Sequence, residues 1–311
     1  MTTERNIIAI GRSRYLYDGI RHVQQHGYKV RAIVTEEAYD EYDIKHQDFE
    51  RLAKEIGAAF FMIRSLENEE LISILQQHNV RAAISANWKY TIQPSVLDRF
   101  ECGILNFHLG NLPDYKGNAT VNWSIINGER YINGNIHKMD PELDAGDILS
   151  RKSIPIQNDS YIADVLAEAE KIAPDLYRQA LDRVWNDPQA YELKGSVQGL
   201  RCYPRLPEDG RINWQLPAEQ VVRLIRASSH PYLGAFSYLN EEKVVIWKAK
   251  VWMPESRFLA IPGHVVEIRK QAGTVLVAGP DAMIEVEEIE VNGTVMRPTD
   301  YIKSIRVRFK S

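Results

Sequence analysis

Asn106, His108 and Asp144 are side chains whose types and spacing could serve a reaction that moves protons. Asn106 and His108 alternate with Ile, Leu and Phe in the run Ile104–His108. Residues i and i+2 of a strand project from the same face, so the two polar side chains share one side. Burying such a pair without partners is costly. A solvent-facing edge strand is the alternative explanation, but such a strand should carry more polar neighbours than Ile, Leu and Phe. Asp144 lies in Asp-Ala-Gly-Asp, which by itself also fits a simple turn. Imidazole and carboxylate groups are common proton carriers, so these residues form a candidate site.

Further motifs surround these residues. Asn-x-His is followed by Leu-Pro-x-Tyr-x-Gly at Leu112–Gly117 and by Leu-Asp-x-Gly-Asp-Ile at Leu143–Ile148. The three elements in this order resemble the N-10-formyltetrahydrofolate-dependent formyltransferase family, most of all its sugar N-formyltransferases. The resemblance extends over nearly the whole chain. It includes the family's crossing into a C-terminal β domain, at Pro207–Trp214, Leu224–Ala227 and Gly234–Phe236.

The resemblance implies a role for each of the three catalytic candidates. Asn106 matches the family asparagine, whose amide donates to the formyl oxygen as negative charge develops. His108 matches the family histidine, which accepts the amine proton or, as imidazolium, stabilises the tetrahedral intermediate. Asp144 matches the aspartate that sets the histidine tautomer and favours its charged form. The amine is expected to attack the formyl carbon directly, because the sequence shows no serine or cysteine nucleophile with a paired base. His137, on a preceding strand, is expected to be structural.

N-10-formyltetrahydrofolate is the formyl donor that the resemblance implies. In the family, the loop corresponding to Asn87–Ile92 holds the pterin largely through backbone groups and apolar walls. Trp88, Lys89, Tyr90 and Ile92 are therefore the candidates for donor binding, together with Asp144. Aromatic and aliphatic side chains suit a flat heteroaromatic ring. An aromatic cluster that caps the core is the alternative interpretation of the loop.

The expected acceptor is a nucleotide-linked amino deoxysugar, used in surface glycan biosynthesis. A transfer RNA acceptor, as in the methionyl-tRNA formyltransferases, requires a grip on phosphates. Residues 241–311 instead contain 11 Lys and Arg against 10 Asp and Glu. No basic insertion follows Pro113, which also counts against a transfer RNA acceptor. The glycinamide ribonucleotide enzymes resemble only a single catalytic domain, whereas this chain is longer. A non-catalytic sensor of folate or nucleotide sugar on the same fold is a further alternative.

Residues at the first predicted strand-to-helix turn are candidates for binding the acceptor. Gly11-Arg12-Ser13-Arg14-Tyr15 places two arginines at a helix N-terminus, which suits a pyrophosphate. The turn lacks the Gly-x-Gly-x-x-Gly pattern, which disfavours a dinucleotide cofactor. Solvated surface charges are the alternative for Arg12 and Arg14. Asn118 and Trp123 are further acceptor candidates from the resemblance, although helix packing would also account for Trp123.

Short apolar strands and amphipathic helices alternate through the first part of the chain. Strand patterns cover Asn6–Ile10, Val30–Val34, Ala59–Ile63 and Arg81–Ser85, with helical patterns between them. This alternation predicts an α/β fold with a doubly wound, mostly parallel sheet. Ligands of such sheets bind beyond the carboxyl ends of the strands. After residue 205 the expected strands, the last at Ile302–Phe309, predict a small β-rich, OB-like domain at 206–311, following a catalytic domain at 1–205.

Composition narrows the remaining functional classes. The net charge of −4 provides no strong field for nucleic acid or anionic lipid. No apolar run is long enough to cross a bilayer, so we expect a cytoplasmic protein. Cys102 and Cys202 form no Cys-x-x-Cys pair, and the sequence shows no metal-ligand cluster, so no metal is expected. Surface strands of the second domain would allow a homodimer.

Overall fold

The computed structural model describes residues 4–38, 42–253, 255 and 258–310. Their strands are β1 (Arg5–Gly11), β2 (Tyr28–Thr35), β3 (Ala59–Met62), β4 (Ala82–Ala86), β5 (Gly103–Leu109), β6 (Lys116–Gly117), β7 (Tyr131–Lys138), β8 (Ile148–Pro155), β9 (Arg201–Cys202), β10 (Ala235–Leu239), β11 (Glu242–Trp252), β12 (Val265–Arg269), β13 (Thr274–Ala278), β14 (Met283–Val291) and β15 (Thr294–Met296). The helices are α1 (Arg14–Gln25), α2 (His46–Ile56), α3 (Glu69–Gln77), α4 (Pro94–Leu97), α5 (Thr120–Asn127), α6 (Ile162–Asn186), α7 (Ala218–Ser228) and α8 (Pro298–Tyr301), with a 3₁₀ turn at Pro207–Gly210.

The described chain divides into two compact units whose segments interleave. The first comprises residues 1–120, 131–154 and 166–202, and the second comprises residues 121–130, 155–165 and 203–311. The second unit therefore includes two short segments that lie between segments of the first unit in the sequence.

The first unit is built on a seven-stranded sheet. The strand order is β3-β2-β1-β4-β5-β7-β8, and the first five strands run parallel while β7 is antiparallel to β5. β1 is buried almost throughout, as expected of a parallel strand with both faces covered. α1 buries Leu16, Ile20 and Val23 on one face. The predicted α/β class with a doubly wound, mostly parallel sheet is confirmed.

Between β1 and β4 the order of strands reverses, and the carboxyl ends of these strands meet there. Gly11 is paired with Ala86 at this point. A Cβ atom on Gly11 would lie 2.0 Å from the carbonyl oxygen of Ala86, and its φ is +125°. Only glycine allows this approach, so the loops after β1 and β4 begin side by side.

The second unit contains an antiparallel sheet with the order β10-β11-β14-β13-β12, and β15 pairs with β14. The core of this unit includes the fully buried Trp214, stacked on Phe309 at 5.3 Å between ring centroids. The C-terminal β domain is thus confirmed, but the predicted closing strand Ile302–Phe309 is wrong. Arg308 and Lys310 form only isolated bridges, to His264 and Tyr238, and α8 occupies the residues just before this segment.

Candidate active site

β5 and β7 bring the polar side chains of the candidate site together. Asn106 on β5 is paired in register with His137 on β7, and His108 is paired with Asn135. β5 also pairs with β4, so it lies inside the sheet and not at its edge. The alternative interpretation of Asn106 and His108 as residues of a solvent-facing edge strand therefore does not apply.

Asp144 lies beside two imidazole rings. Its Oδ2 is 3.6 Å from Nδ1 of His108, and its Oδ1 is 3.4 Å from Nε2 of His137. The backbone N–H of Gly117 donates to Oδ2 at 2.8 Å. Asp144 has a φ of +47°, a left-handed conformation that aspartate tolerates better than most residues. This carboxylate thus links the loop before β8 to both polar strands.

The ring nitrogens of His108 have different surroundings. Nε2 lies 2.8 Å from the carbonyl oxygen of Tyr115, and a carbonyl can only accept a hydrogen bond. Nε2 therefore carries the proton of the neutral ring, and Nδ1, which faces Asp144, is the nitrogen that can take another. Burial lowers the pKa of His108, although the Asp144 carboxylate acts in the opposite direction. The ring is thus held neutral, with its basic nitrogen next to a negative charge.

Asp144 is held as a carboxylate. Burial by itself would raise the pKa of its carboxyl group, but His108, His137 and the Gly117 N–H outweigh burial and hold that pKa well below its usual range. A permanently charged group 3.6 Å from Nδ1 of His108 stabilises any proton that arrives there.

His137 is the neighbour that sequence reasoning assigned only a structural role. Nδ1 of His137 donates to the carbonyl of Lys138 at 3.1 Å, which leaves Nε2 as an acceptor. The amide Nδ2 of Asn106 donates to that nitrogen at 3.2 Å. This bond fixes which way the Asn106 amide faces. The strand alternation of Asn135 and His137, which parallels that of Asn106 and His108, is the sequence signal that could have marked His137 as part of a polar face.

A cavity of about 390 Å³ opens beside these residues, a size typical of small-molecule sites. Its wall includes the residues predicted to bind the formyl donor, and Asn118 and the polar centre formed by Asn106, His108 and Asp144 lie beside them. The residues predicted to bind the formyl donor are Trp88, Lys89, Tyr90 and Ile92. Trp88 and Tyr90 meet edge to face at 5.3 Å between ring centroids. Among the described residues, the buried indole N–H of Trp88 has no hydrogen-bond partner.

The residues of the first strand-to-helix turn are mostly engaged within the protein. Arg12 is 3% exposed, and its guanidinium donates to the carbonyls of Asn87 and Glu37 at 3.1 Å. Arg14 is paired with Asp43 and lies 3.9 Å from Asp18.

The remaining acceptor candidates have other surroundings. The buried Ser13 adopts φ +85°, and its hydroxyl has no partner among the described residues. Tyr15 packs on Phe107 at 4.9 Å between ring centroids. Trp123 belongs to the second compact unit, where its indole N–H donates to the carbonyl of Tyr203.

Neither cysteine has the surroundings of a nucleophile. Cys102 and Cys202 are both buried, and burial raises the pKa of each thiol. A raised pKa keeps sulfur protonated and unreactive. Within the described residues, no group of three His, Cys, Asp or Glu side chains could hold a metal ion. No helix in that part of the chain is long and apolar enough to cross a bilayer.

Sequence comparison places the chain in a known family. Residues 5–181 match the formyl transferase model, and residues 206–306 match the model of the formyl transferase C-terminal domain. The chain therefore belongs to the formyl transferase family. It is 28% identical over 249 residues to the bifunctional polymyxin resistance protein ArnA of Wigglesworthia glossinidia brevipalpis, an alignment that spans 76% of this chain but only 36% of ArnA.

Solved structures share the fold. An N-formyltransferase from Helicobacter canadensis, in complex with folinic acid and dTDP-3-aminofucose, has a TM-score of 0.66 at 18% identity. That similarity covers 91% of this chain and 98% of the Helicobacter protein. HypX from Aquifex aeolicus, in complex with tetrahydrofolic acid, has a TM-score of 0.62 at 16% identity over 98% of this chain and 48% of HypX. The chain thus spans less than half of HypX.

Proposed function

We propose that this chain transfers a formyl group from N-10-formyltetrahydrofolate to the amino group of a nucleotide-linked amino deoxysugar. The observation that carries the proposal is the contact of Asp144 with His108 and His137 beside the cavity, with Asn106 hydrogen-bonded to His137. Membership of the formyl transferase family supplies the reaction class.

The lining of the cavity suits a folate donor. Trp88, Tyr90 and Ile92 provide apolar and aromatic walls, and the buried Trp88 N–H has no partner among the described residues, although folate carries acceptor atoms. These residues, with Lys89, would hold the donor. The donor supplies the activated formyl carbon, and the polar centre formed by Asn106, His108 and Asp144 would lie next to it.

His108 is the proposed proton acceptor for the attacking amine. Its Nδ1 is unprotonated in the neutral ring, because Nε2 uses its proton on the carbonyl of Tyr115. A proton taken at Nδ1 would form an ion pair with Asp144, which stays charged. The amine becomes more acidic as it bonds to the formyl carbon, and the same proton would pass to N10 when the carbon–N10 bond breaks and tetrahydrofolate leaves.

Asn106 is the proposed donor to the formyl oxygen. One hydrogen of its Nδ2 is used on Nε2 of His137, so the amide is held in one orientation. A donor fixed before the reaction stabilises developing negative charge without the cost of reorientation.

The nature of the acceptor rests on two observations. The Helicobacter enzyme with a similar fold over nearly its whole length was crystallised with dTDP-3-aminofucose. In the second unit, acidic side chains of β14 pair with nearby basic side chains, as in Lys250 with Glu287 and Lys248 with Glu288. Bases neutralised in this way are less available to the phosphates of a transfer RNA.

The roles of the two parts of the chain belong to the same proposal. We assign catalysis to residues 1–205 and an accessory, OB-like β domain to residues 206–311. Arg12, Ser13, Arg14, Tyr15, Asn118 and Trp123 remain the candidates for acceptor binding. A phosphate at the α1 turn would have to compete with Asp43 for Arg14.

A formyl-transfer assay tests the proposal. N-10-formyltetrahydrofolate would be supplied with a panel of nucleotide-linked 3-amino and 4-amino deoxysugars, with charged initiator tRNA in parallel. Turnover with a sugar and none with tRNA is the expected result. Turnover with tRNA alone would replace the acceptor class, and folate binding without any turnover would favour a sensor.

A further inference from the structure

Glu36, the residue after β2, is a buried carboxylate that contacts three side chains. Its side chain is 7% exposed. Oε2 lies 2.9 Å from Nζ of Lys89 and accepts a hydrogen bond from the Tyr90 hydroxyl at 2.8 Å. Oε1 lies 3.4 Å from the guanidinium of Arg12. Residues that follow β1, β2 and β4 thus meet at one carboxylate.

The loop contacted by Glu36 has little backbone support of its own. Within the described part of the chain, Trp88, Tyr90, Thr91 and Ile92 form no hydrogen bond between backbone groups. Asn87, where the loop begins, has a left-handed φ of +54°. The Asn87 carbonyl accepts from Nε of Arg12, which is itself paired with Glu36. Arg12 therefore holds the start of the loop at Asn87, and Glu36 holds the loop at Lys89 and Tyr90.

A carboxylate is buried at this point only because cations and a phenol compensate its lost hydration. Removing it would take the Glu36 contact away from Arg12, Lys89 and Tyr90 at the same time. Both of the latter residues line the cavity.

We propose that Glu36 is a positioning residue that fixes the loop 87–92 in the shape needed to bind the folate donor. This proposal rests on the function proposed above, since the cavity is taken as the donor site. Glu36 does not line the cavity and acts through Lys89, Tyr90 and Arg12. Its loss should therefore weaken donor binding more than it slows turnover.

The first test compares Glu36→Gln with the wild type. Tetrahydrofolate, which cannot transfer formyl, is the binding probe in calorimetry. We expect its Kd and the KM of the formyl donor to rise about 10-fold, while kcat at saturating donor changes less than about 3-fold. Glu36→Asp, with a shorter carboxylate, should restore part of the affinity.

Glu101→Gln is the matched control. Glu101 forms a bidentate ion pair with Arg81 at 2.6 and 2.8 Å, at the opposite end of β4 and β5 from the cavity. It should leave Kd, KM and kcat unchanged. A fall of kcat in Glu36→Gln by about 10-fold, with KM unchanged, would indicate a general structural role and overturn the proposal.

A second measurement needs no ligand. Hydrogen exchange of the peptide covering residues 87–92 should accelerate in Glu36→Gln, while that of β4 should not. In a double-mutant cycle, Tyr90→Phe should have less effect in the Glu36→Gln background than in the wild type. Unchanged exchange or strict additivity would reject the proposed positioning role. A wild type that does not bind tetrahydrofolate would instead overturn the function proposed above.

Discussion

Nδ1 of His108 lies 3.6 Å from Oδ2 of Asp144, while Nε2 of the same ring is committed to the carbonyl of Tyr115. Both ring nitrogens therefore face acceptors, and only the protonated ring can satisfy both at once. Burial nevertheless favours the neutral ring. The neutral ring therefore presents an unprotonated Nδ1 next to a carboxylate, where a proton from the attacking amine of the proposed reaction would be stabilised.

Replacing His108 by alanine should remove this proton acceptor. We expect turnover to fall by at least ~10²-fold, with tetrahydrofolate affinity close to that of the wild type. Steady-state kinetics and calorimetry would measure the two effects. His46→Ala, on α2, is the control and should keep full activity. Turnover near that of the wild type in His108→Ala would rule out the assigned role.

The pH dependence should report the lowered pKa of His108. The proposed role of His108 needs the neutral ring, so the acid limb of the kcat/KM profile should lie below about pH 6.5, the ordinary pKa of histidine. Asp144 acts to raise that pKa, so Asp144→Asn should move the limb to still lower pH. Titration of the His108 ring protons by NMR measures the shift directly, even in an inactive variant. A limb that moves upward would contradict the arrangement.

Stability should follow the same group with a defined sign. A histidine whose folded pKa is lowered binds fewer protons in the folded state, so stability is lost as pH falls below the unfolded pKa. Urea unfolding between pH 5 and pH 7 should show less loss for His108→Ala than for the wild type. Parallel curves for the two proteins would indicate that His108 does not titrate differently on folding.

Asn106→Ala should lower kcat by about 10²–10³-fold with little change in KM, because the amide is proposed to stabilise charge that develops during the reaction. His137→Ala should have a smaller effect on kcat, since His137 is proposed to act through Asn106 and Asp144. Single-turnover kinetics would separate the chemical step from release of product. A larger defect in His137→Ala than in Asn106→Ala would reverse this ranking.

Gly11→Ala should destabilise the fold strongly. Its φ of +125° and the carbonyl of Ala86 at 2.0 Å leave no room for a Cβ atom. We expect a loss of about 2–4 kcal/mol in the free energy of unfolding. Gly27→Ala is the matched control: its φ is +86°, but no atom lies within 4 Å of the added Cβ. This control should lose only about 1–2 kcal/mol, measured in urea, and equal losses would remove the steric argument.

Much of the first unit could be predicted from sequence, because its signals are local. Apolar runs gave β1 and β2, and strand alternation placed Asn106 and His108 on one face. The contact of His137 with Asn106 depends on the register between two strands, which no local pattern encodes.

Other features escaped prediction for related reasons. Arg12 contacts Glu36, and Arg14 contacts Asp43. These carboxylates are distant from the arginines in sequence and come close to them only in the folded chain. The Ile302–Phe309 segment has strand-like alternation, yet only single residues of it find strand partners.

The pairing of β5 with β7 has a consequence for how such proteins diversify. Asn106 faces His137 and His108 faces Asn135, so a shift of one residue in either strand would replace a polar partner by an apolar or cationic one. Within the excursion between the strands, Tyr115 and Gly117 contact His108 and Asp144, whereas residues 118–130 carry no such constraint on their length. Insertions and deletions there would preserve the catalytic register, and this is where lineages that share the chemistry would be free to acquire different acceptors.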